Sequence, residues 1–347
     1  MTADNAALFW GSAFVGFAPL MCFFFQIVYP KSQLIIIFVT AAFFYLLSIL
    51  FASAFWYVLD PLLGLDSAWT ALIPGVLSQF FARCAFVALY HRVESVIEVS
   101  IERSEQEQQA RNSRNPPPVD ISTAKLRLEL NDVASGVAAG TGFGGMHALL
   151  MFGSLLASET ADFGVLYQPS CPYLPSLIVS ATNSFVFFFL DLFWMLFTFY
   201  GMRRRLIFPR GGGTLRDMGP NRRRTFGGYY GNTRSGGNSA LLTVLISHFA
   251  AAGFTTFNLF QYGCAFSMSL VPAVLVVVSY LYWSGVSKIY NPLPNSNVRL
   301  TLPASFSYGS RAEGALNGDD DDDNHHTNNT RPRRMEDDAV LRQRSDL

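Results

Sequence analysis

Hydrophobic positions in this chain run in long unbroken blocks, with polar residues gathered between them. Seven windows stand out, at residues 7–29, 34–59, 68–90, 133–157, 174–201, 240–259 and 263–283. A helix needs roughly 20 apolar residues to cross a hydrocarbon core of about 30 Å. The pattern therefore predicts an all-α polytopic membrane protein, a bundle of seven transmembrane helices. Only Phe260–Tyr262 separate the last two windows, so these form a tight helical hairpin or one re-entrant feature. One such block would also suit a buried core helix. Seven within residues 1–290 would not, because no soluble fold supplies enough polar surface to cover them.

The polar stretches predict appendages rather than further domains. Residues 93–128 begin as a helix continuing from the third span (Val93–Gln109) and break at Asn115-Pro116-Pro117-Pro118. Within the loop 203–238, residues 211–238 are rich in Gly, Arg and Asn and read as flexible. The tail 291–347 is too polar to bury a core and reads as disordered. Its run Asp319–Asp323, with His325 and His326, reads as a solvated tail before it reads as a cation site. Residues 1–6 carry no basic residue, and the first block is too long for a signal peptide, so it reads as a permanent span.

Composition sharpens this picture. Half of the 347 residues are hydrophobic, 14% are charged and 32 are Phe. Mean hydropathy is +0.27. Soluble domains carry nearer a quarter charged residues. The net charge is zero, but the positive charges are segregated. Lys31, then Arg92 to Arg127, Arg203 to Arg234, and Lys288 with the tail arginines occupy alternate loops. Residues 1–6, 60–67, 158–173 and 260–262 hold no Lys or Arg. Positive loops stay in the cytosol, which places the N-terminus lumenal or extracellular and the C-terminus cytosolic. The sequon Asn328-Asn329-Thr330 then lies on the cytosolic side.

Several residues inside the spans could carry function. Gly136, Gly140 and Gly144 recur every four residues, so they share one side of the fourth helix. Such a face lets another helix approach closely, whether a neighbouring span or another subunit. His147 lies near that face. Asp191 sits mid-way along the fifth span and His248 in the sixth. A carboxylate at that depth is costly and needs a partner. Arg83, His147 and His248 are the candidates, and Asp191–His248 is the preferred pair because their spans adjoin in sequence. Such a contact serves either as a polar clasp or as a proton or ligand site. Cys171 and Cys264 both fall on the lumenal side, which allows a disulfide between them. Four cysteines so scattered suggest no zinc site, and no metal or other cofactor is expected.

Signatures of catalysis are missing. There is no HExxH, no GxSx nucleophile with a partner His, no P-loop and no dinucleotide fingerprint. An aspartyl intramembrane protease needs two embedded Asp sharing a proton, and only Asp191 is embedded. Gly64-Leu65-Asp66 echoes part of a GxGD motif but falls in a lumenal turn. No catalytic residue and no nucleic-acid partner is expected.

The collinear set of span residues resembles the anterior pharynx-defective subunit family of the γ-secretase complex. The first span reads Phe9-x-Gly11-x-x-Phe14-Val15-x-Phe17-x-Pro19, and the second carries Phe43-Phe44 and Leu50-x-Ala52-Ser53-x-x-Trp56. Gln79 and Arg83 follow in the third, and Ser135-Gly136 with the triple-glycine repeat in the fourth. The fifth has Phe193-Trp194 and Arg203-Arg204-Arg205, and the sixth Ser247-His248, Gly253 and Phe257-Asn258. The resemblance covers residues 5–288. It implies a non-catalytic scaffold that assembles with nicastrin, presenilin and the presenilin enhancer subunit, the catalytic aspartates lying on presenilin. It also implies that Gly136, Gly140 and Gly144 form a face needed for assembly. The family places His in both the fifth and the sixth span, whereas this chain has Asp191 and His248. The competing reading is a seven-span receptor or small transporter using Asp191 and His248 as a ligand or proton site.

Overall fold

A computed structural model describes residues 3–63, 67–111, 132–157, 167–207, 230 and 234–286. Among these residues the architecture is all-α with one small hairpin. The helices are α1 (Ala3–Phe23), α2 (Ser32–Leu63), α3 (Ser67–Arg111), α4 (Asp132–Ala148), α5 (Ser176–Ile207), α6 (Arg234–Thr255) and α7 (Cys264–Leu281). Wider π-helical turns continue α1 over Phe24–Val28, α4 over Leu149–Gly153 and α7 over Tyr282–Val286, and a 3₁₀ turn at Thr256–Leu259 ends α6. Two short strands, β1 (Tyr167–Gln168) and β2 (Cys171–Pro175), pair antiparallel through Pro169-Ser170.

Six of these helices are long and apolar enough to cross a membrane, which makes the chain an integral membrane protein: all but α4. The exception has a chemical reason. α4 carries Gly136, Gly140, Gly142, Gly144 and Gly145, and glycine adds almost no hydrophobic surface. What α4 lacks in apolar side chains it makes up in contact. Its most extensive packing is against α5, and α2 covers another side.

The bundle is built around α5. Of its apolar window 78% is buried, against 17–33% for the other five. Phe188, Leu190, Trp194, Met195, Phe197, Phe199 and Tyr200 are all essentially inaccessible. α1, α4, α6 and α7 all pack against it. The outer helices instead present large apolar side chains outward, among them Trp10 and Phe14 on α1, Phe25 on its π-helical continuation, and Phe43, Leu50 and Phe55 on α2. Lipid is the solvent such a surface requires.

α3 runs on past its apolar window to Arg111, covering the expected continuation Val93–Gln109. α6 and α7 are separate helices joined at Phe260–Gly263, a hairpin rather than a re-entrant feature. The Pro-rich break at 115–118, residues 211–229 and 231–233 of the Gly/Arg stretch, Gly64-Leu65-Asp66, the acidic run, its two histidines and the sequon all lie outside the described residues. The end of that stretch, Arg234–Asn238, expected as flexible loop, is instead the first part of α6.

Candidate functional site

Asp191 falls at the middle of α5, and its side chain is fully buried. The partner of Asp191 differs from the sequence expectation. Arg83 of α3, equally buried, donates from Nη2 to Asp191 Oδ1. His147 of α4 places Nδ1 2.7 Å from Asp191 Oδ2. Both carboxylate oxygens are thus engaged, and His248 is not the direct partner. It sits behind the arginine, with its Nδ1 3.4 Å from Arg83 Nη1. The physical reason is reach and charge. A guanidinium presents several donors in a plane and can serve two helices at once, whereas an imidazole accepting from it has no donor left on that nitrogen for the carboxylate.

The rest of the shell holds these groups in place. Gln79, one turn before Arg83, accepts from its Nη2 at 3.3 Å. The guanidinium lies over the rings of Phe143 and Trp194, at 5.2 and 5.1 Å, a favourable use of a desolvated cation. The His248 ring lies tilted against Trp194 with centroids 4.3 Å apart, and Trp194 Nε1 donates to Ser247 Oγ at 2.8 Å. His147 is flanked by Phe187 and by Tyr45 of α2. Five helices therefore meet at one point. Arg83 Nε has no hydrogen-bond partner among the described residues.

The glycines of α4 explain how α5 comes close enough. A Cβ on Gly136 would lie 3.0 Å from Leu196 Cδ2, on Gly140 2.7 Å from Leu192 Cα, and on Gly144 3.0 Å from the Phe188 carbonyl oxygen. Each step of four up α4 is answered by a step of four back along α5, as antiparallel helices require. The sequence left two occupants open for this face, and within the chain α5 takes it. Gly142 and Gly145 do the same on the other side of α4, against Phe38 of α2 and Leu20 of α1. At the far end of α5, Gly201 meets Gly237 of α6, where a Cβ on either would come within 2.9 Å of the other's carbonyl oxygen.

A second cluster escaped the sequence reading. Arg203, just before the last turn of α5, donates from Nε to Asp132 Oδ2 at 2.8 Å and from Nη2 to Asp132 Oδ1 and to Glu94. His91 Nδ1 lies 3.3 Å from Glu94 Oε2. Glu94 and Asp132 sit at loop edges in the sequence, and charges there read as solvated. The available signal was opposite charge at one end of three successive spans. The ligand atoms of His91, Glu94 and Asp132 lie within 4.8 Å of one another, close enough for a cation. Arg203 already takes both carboxylates, so the cluster is an ion-pair brace.

At the opposite end of α5, Cys171 of β2 and Cys264 of α7 are joined as a disulfide, with Cα atoms 5.4 Å apart. Cys22 and Cys84 are free.

A family model described as Aph-1 protein matches residues 7–288. No curated protein matches the chain.

Proposed function

The chain belongs to the Aph-1 family and so is a component of a γ-secretase complex, and from that premise we propose that it is the complex's non-catalytic scaffold. In this reading it stabilises presenilin and nicastrin, accepts the presenilin enhancer subunit, and supports proteolysis of single-span membrane proteins, including those of Notch signalling. Presenilin carries the catalytic aspartates. α4 spans the bilayer with the other six helices, sheltered from lipid by its neighbours. The N-terminus is lumenal and the C-terminus cytosolic, an orientation favoured by the arginines at one end of α5 and the disulfide at the other, since disulfides persist on the oxidising side. The complex would reside in the endoplasmic reticulum, Golgi, plasma membrane and endosomes.

One observation carries this reading. Arg83 and Asp191, the only fully buried ion pair among the described residues, direct their hydrogen bonds to groups of this same chain, on α3 itself and on α4, α5 and α6. Both oxygens of Asp191 are occupied and its side chain is inaccessible, which suits a structural clasp and leaves no open carboxylate for a substrate or a transported proton. Gly136, Gly140 and Gly144 then contribute to assembly indirectly, by fixing α4 on α5 and so the outer surface that partners meet.

Purification of the tagged chain from native membranes in mild detergent tests the proposal. Presenilin, nicastrin and the enhancer subunit are expected in stoichiometric amounts. A chain that elutes alone overturns it.

A further inference from the structure

The turn between α6 and α7 is held in an unfavourable conformation. Tyr262 has φ 61°, the one positive φ outside glycine among the described residues. A side chain in that region costs about 1 kcal/mol. The next residue, Gly263, has no room for a Cβ, which would collide with the Phe257 carbonyl oxygen. Such a backbone persists only where its surroundings over-determine it. Here Phe260 N–H donates to Phe257 O and Gly263 N–H to Phe260 O, both at 3.0 Å. Cys264, two residues beyond Tyr262, is tied to the β-hairpin twice. Its backbone N–H donates to Ser170 O at 3.4 Å, and its sulfur is bonded to Cys171. The two sulfur-bearing residues pack with Val179 of α5 and Met268 of α7.

We propose that the Cys171–Cys264 bond is a redox-dependent lock that holds the α6–α7 turn in its left-handed conformation and closes α5 and α6 into one covalent loop that ends at the first residue of α7. The bond closes a sequence separation of 93 residues, which contains all of α5 and α6 and therefore Asp191 and His248. Opening the lock takes two electrons and two protons from a dithiol reductant. Cys171 and Cys264 are returned as thiols, and the reductant leaves as its own disulfide. The left-handed turn then loses one of its two ties to the hairpin. Phe260 and Tyr262 already face outward, so relaxation of the turn presents them to a protease in extended form.

The test uses the full chain purified in mild detergent, where membrane orientation plays no part, so failure here bears on the lock and not on the scaffold reading. The protein is treated with millimolar dithiothreitol, thiols are counted by maleimide labelling, and chymotrypsin is added. Reduction is expected to expose two further thiols and to raise the rate of cleavage after Phe260 or Tyr262 about tenfold or more. Tyr262→Gly removes the strain and is expected to shrink that acceleration. Joint Cys171→Ser and Cys264→Ser substitution is expected to match the reduced protein. If the double variant fails to accumulate, reduction of the wild-type chain supplies the same reading. Cleavage at an unchanged rate after reduction overturns the proposal, as does a bond that resists the dithiol while the protein stays folded.

Discussion

Arg83 and Arg203 bridge the same three helices at two levels, and their surroundings differ. Arg83 ties α3 to Asp191 of α5, which in turn holds His147 of α4. Arg203 ties α5 to Glu94 of α3 and Asp132 of α4. The steps from Arg83 to Glu94 and from Asp191 to Arg203 put the levels about 17 Å apart at 1.5 Å per residue. The stretch of α4 between them is the glycine face. The inner pair is sealed among aromatic rings. The outer arginine keeps 24% of its side chain exposed. Desolvating a pair makes its loss expensive without making its presence especially stabilising, since Coulomb gain and desolvation nearly cancel. The inner cluster therefore specifies which helices meet and at what register, while the outer one adds a modest, solvent-tuned clamp. α3, α4 and α5 are pinned at two points with close-packed backbone between.

Asp191→Ala should separate the two levels most sharply. It leaves the buried Arg83 guanidinium with no counter-ion, only the neutral contacts to Gln79 and His248, and removal of one partner from a buried pair costs about 3–5 kcal/mol. A large fall in thermal midpoint in detergent, or failure to accumulate folded chain, is expected. A loss no greater than that of an exposed ion pair would mean that water reaches the inner cluster. Gly140→Ala follows. Its Cβ would meet Leu192 Cα at 2.7 Å, backbone that cannot swing aside, and overpacking of this kind costs about 1–3 kcal/mol. Gly11→Ala makes the control, since nothing lies within 4 Å of the added methyl.

The contrast between the two levels also shows what could be read from residues alone. Long apolar blocks are visible because membrane helices need them, and the glycine spacing of α4 is visible because period four maps directly to a helix face. Asp191 was visible as an expense in need of a partner. The identity of the partner was not, because sequence adjacency favours His248 while geometry favours Arg83, whose helix lies far away in the chain. Trp194 and Ser247 stand out in the sequence only as part of the family pattern; that they pair does not, since their hydrogen bond depends on how α5 and α6 rotate against each other. Asp132 and Glu94 were hidden by position: a charge at a span's edge is ordinarily hydrated, and only the fold shows Arg203 between them. The β-hairpin was hidden by its brevity, with strands of two and five residues.

Arg203→Ala should cost less than Asp191→Ala, about 1–2 kcal/mol for loss of charge-assisted hydrogen bonds at a partly solvated site. It also leaves Glu94 and Asp132 facing each other. The effect should depend on salt. With a Debye length of about 10 Å at 0.1 M and 3 Å at 1 M, the gap between wild type and Arg203→Ala should narrow as salt rises. The gap between wild type and Asp191→Ala should not. Thermal melts of all three proteins across that range check both statements, and equal salt sensitivity would erase the distinction between the levels.

The smallest difference is expected from Arg203→Lys, and it asks whether the outer clamp works by charge or by shape. Arg203 serves Asp132 through two nitrogens and Glu94 through one of them. A lysine keeps the charge but is a point donor on a flexible stem, so it cannot hold both carboxylates in one plane. If charge dominates, as partial exposure suggests, the substitution should cost under about 1 kcal/mol and keep the salt dependence of the wild type. Arg83→Lys, by contrast, must give up contacts to Gln79, Asp191 or His248 with no water to replace them, and should fall well below Arg203→Lys in the same melt. Should the two lysine variants lose equal stability, the fork geometry matters as much at the rim as at the centre, and the division of labour between the arginines would have to be redrawn.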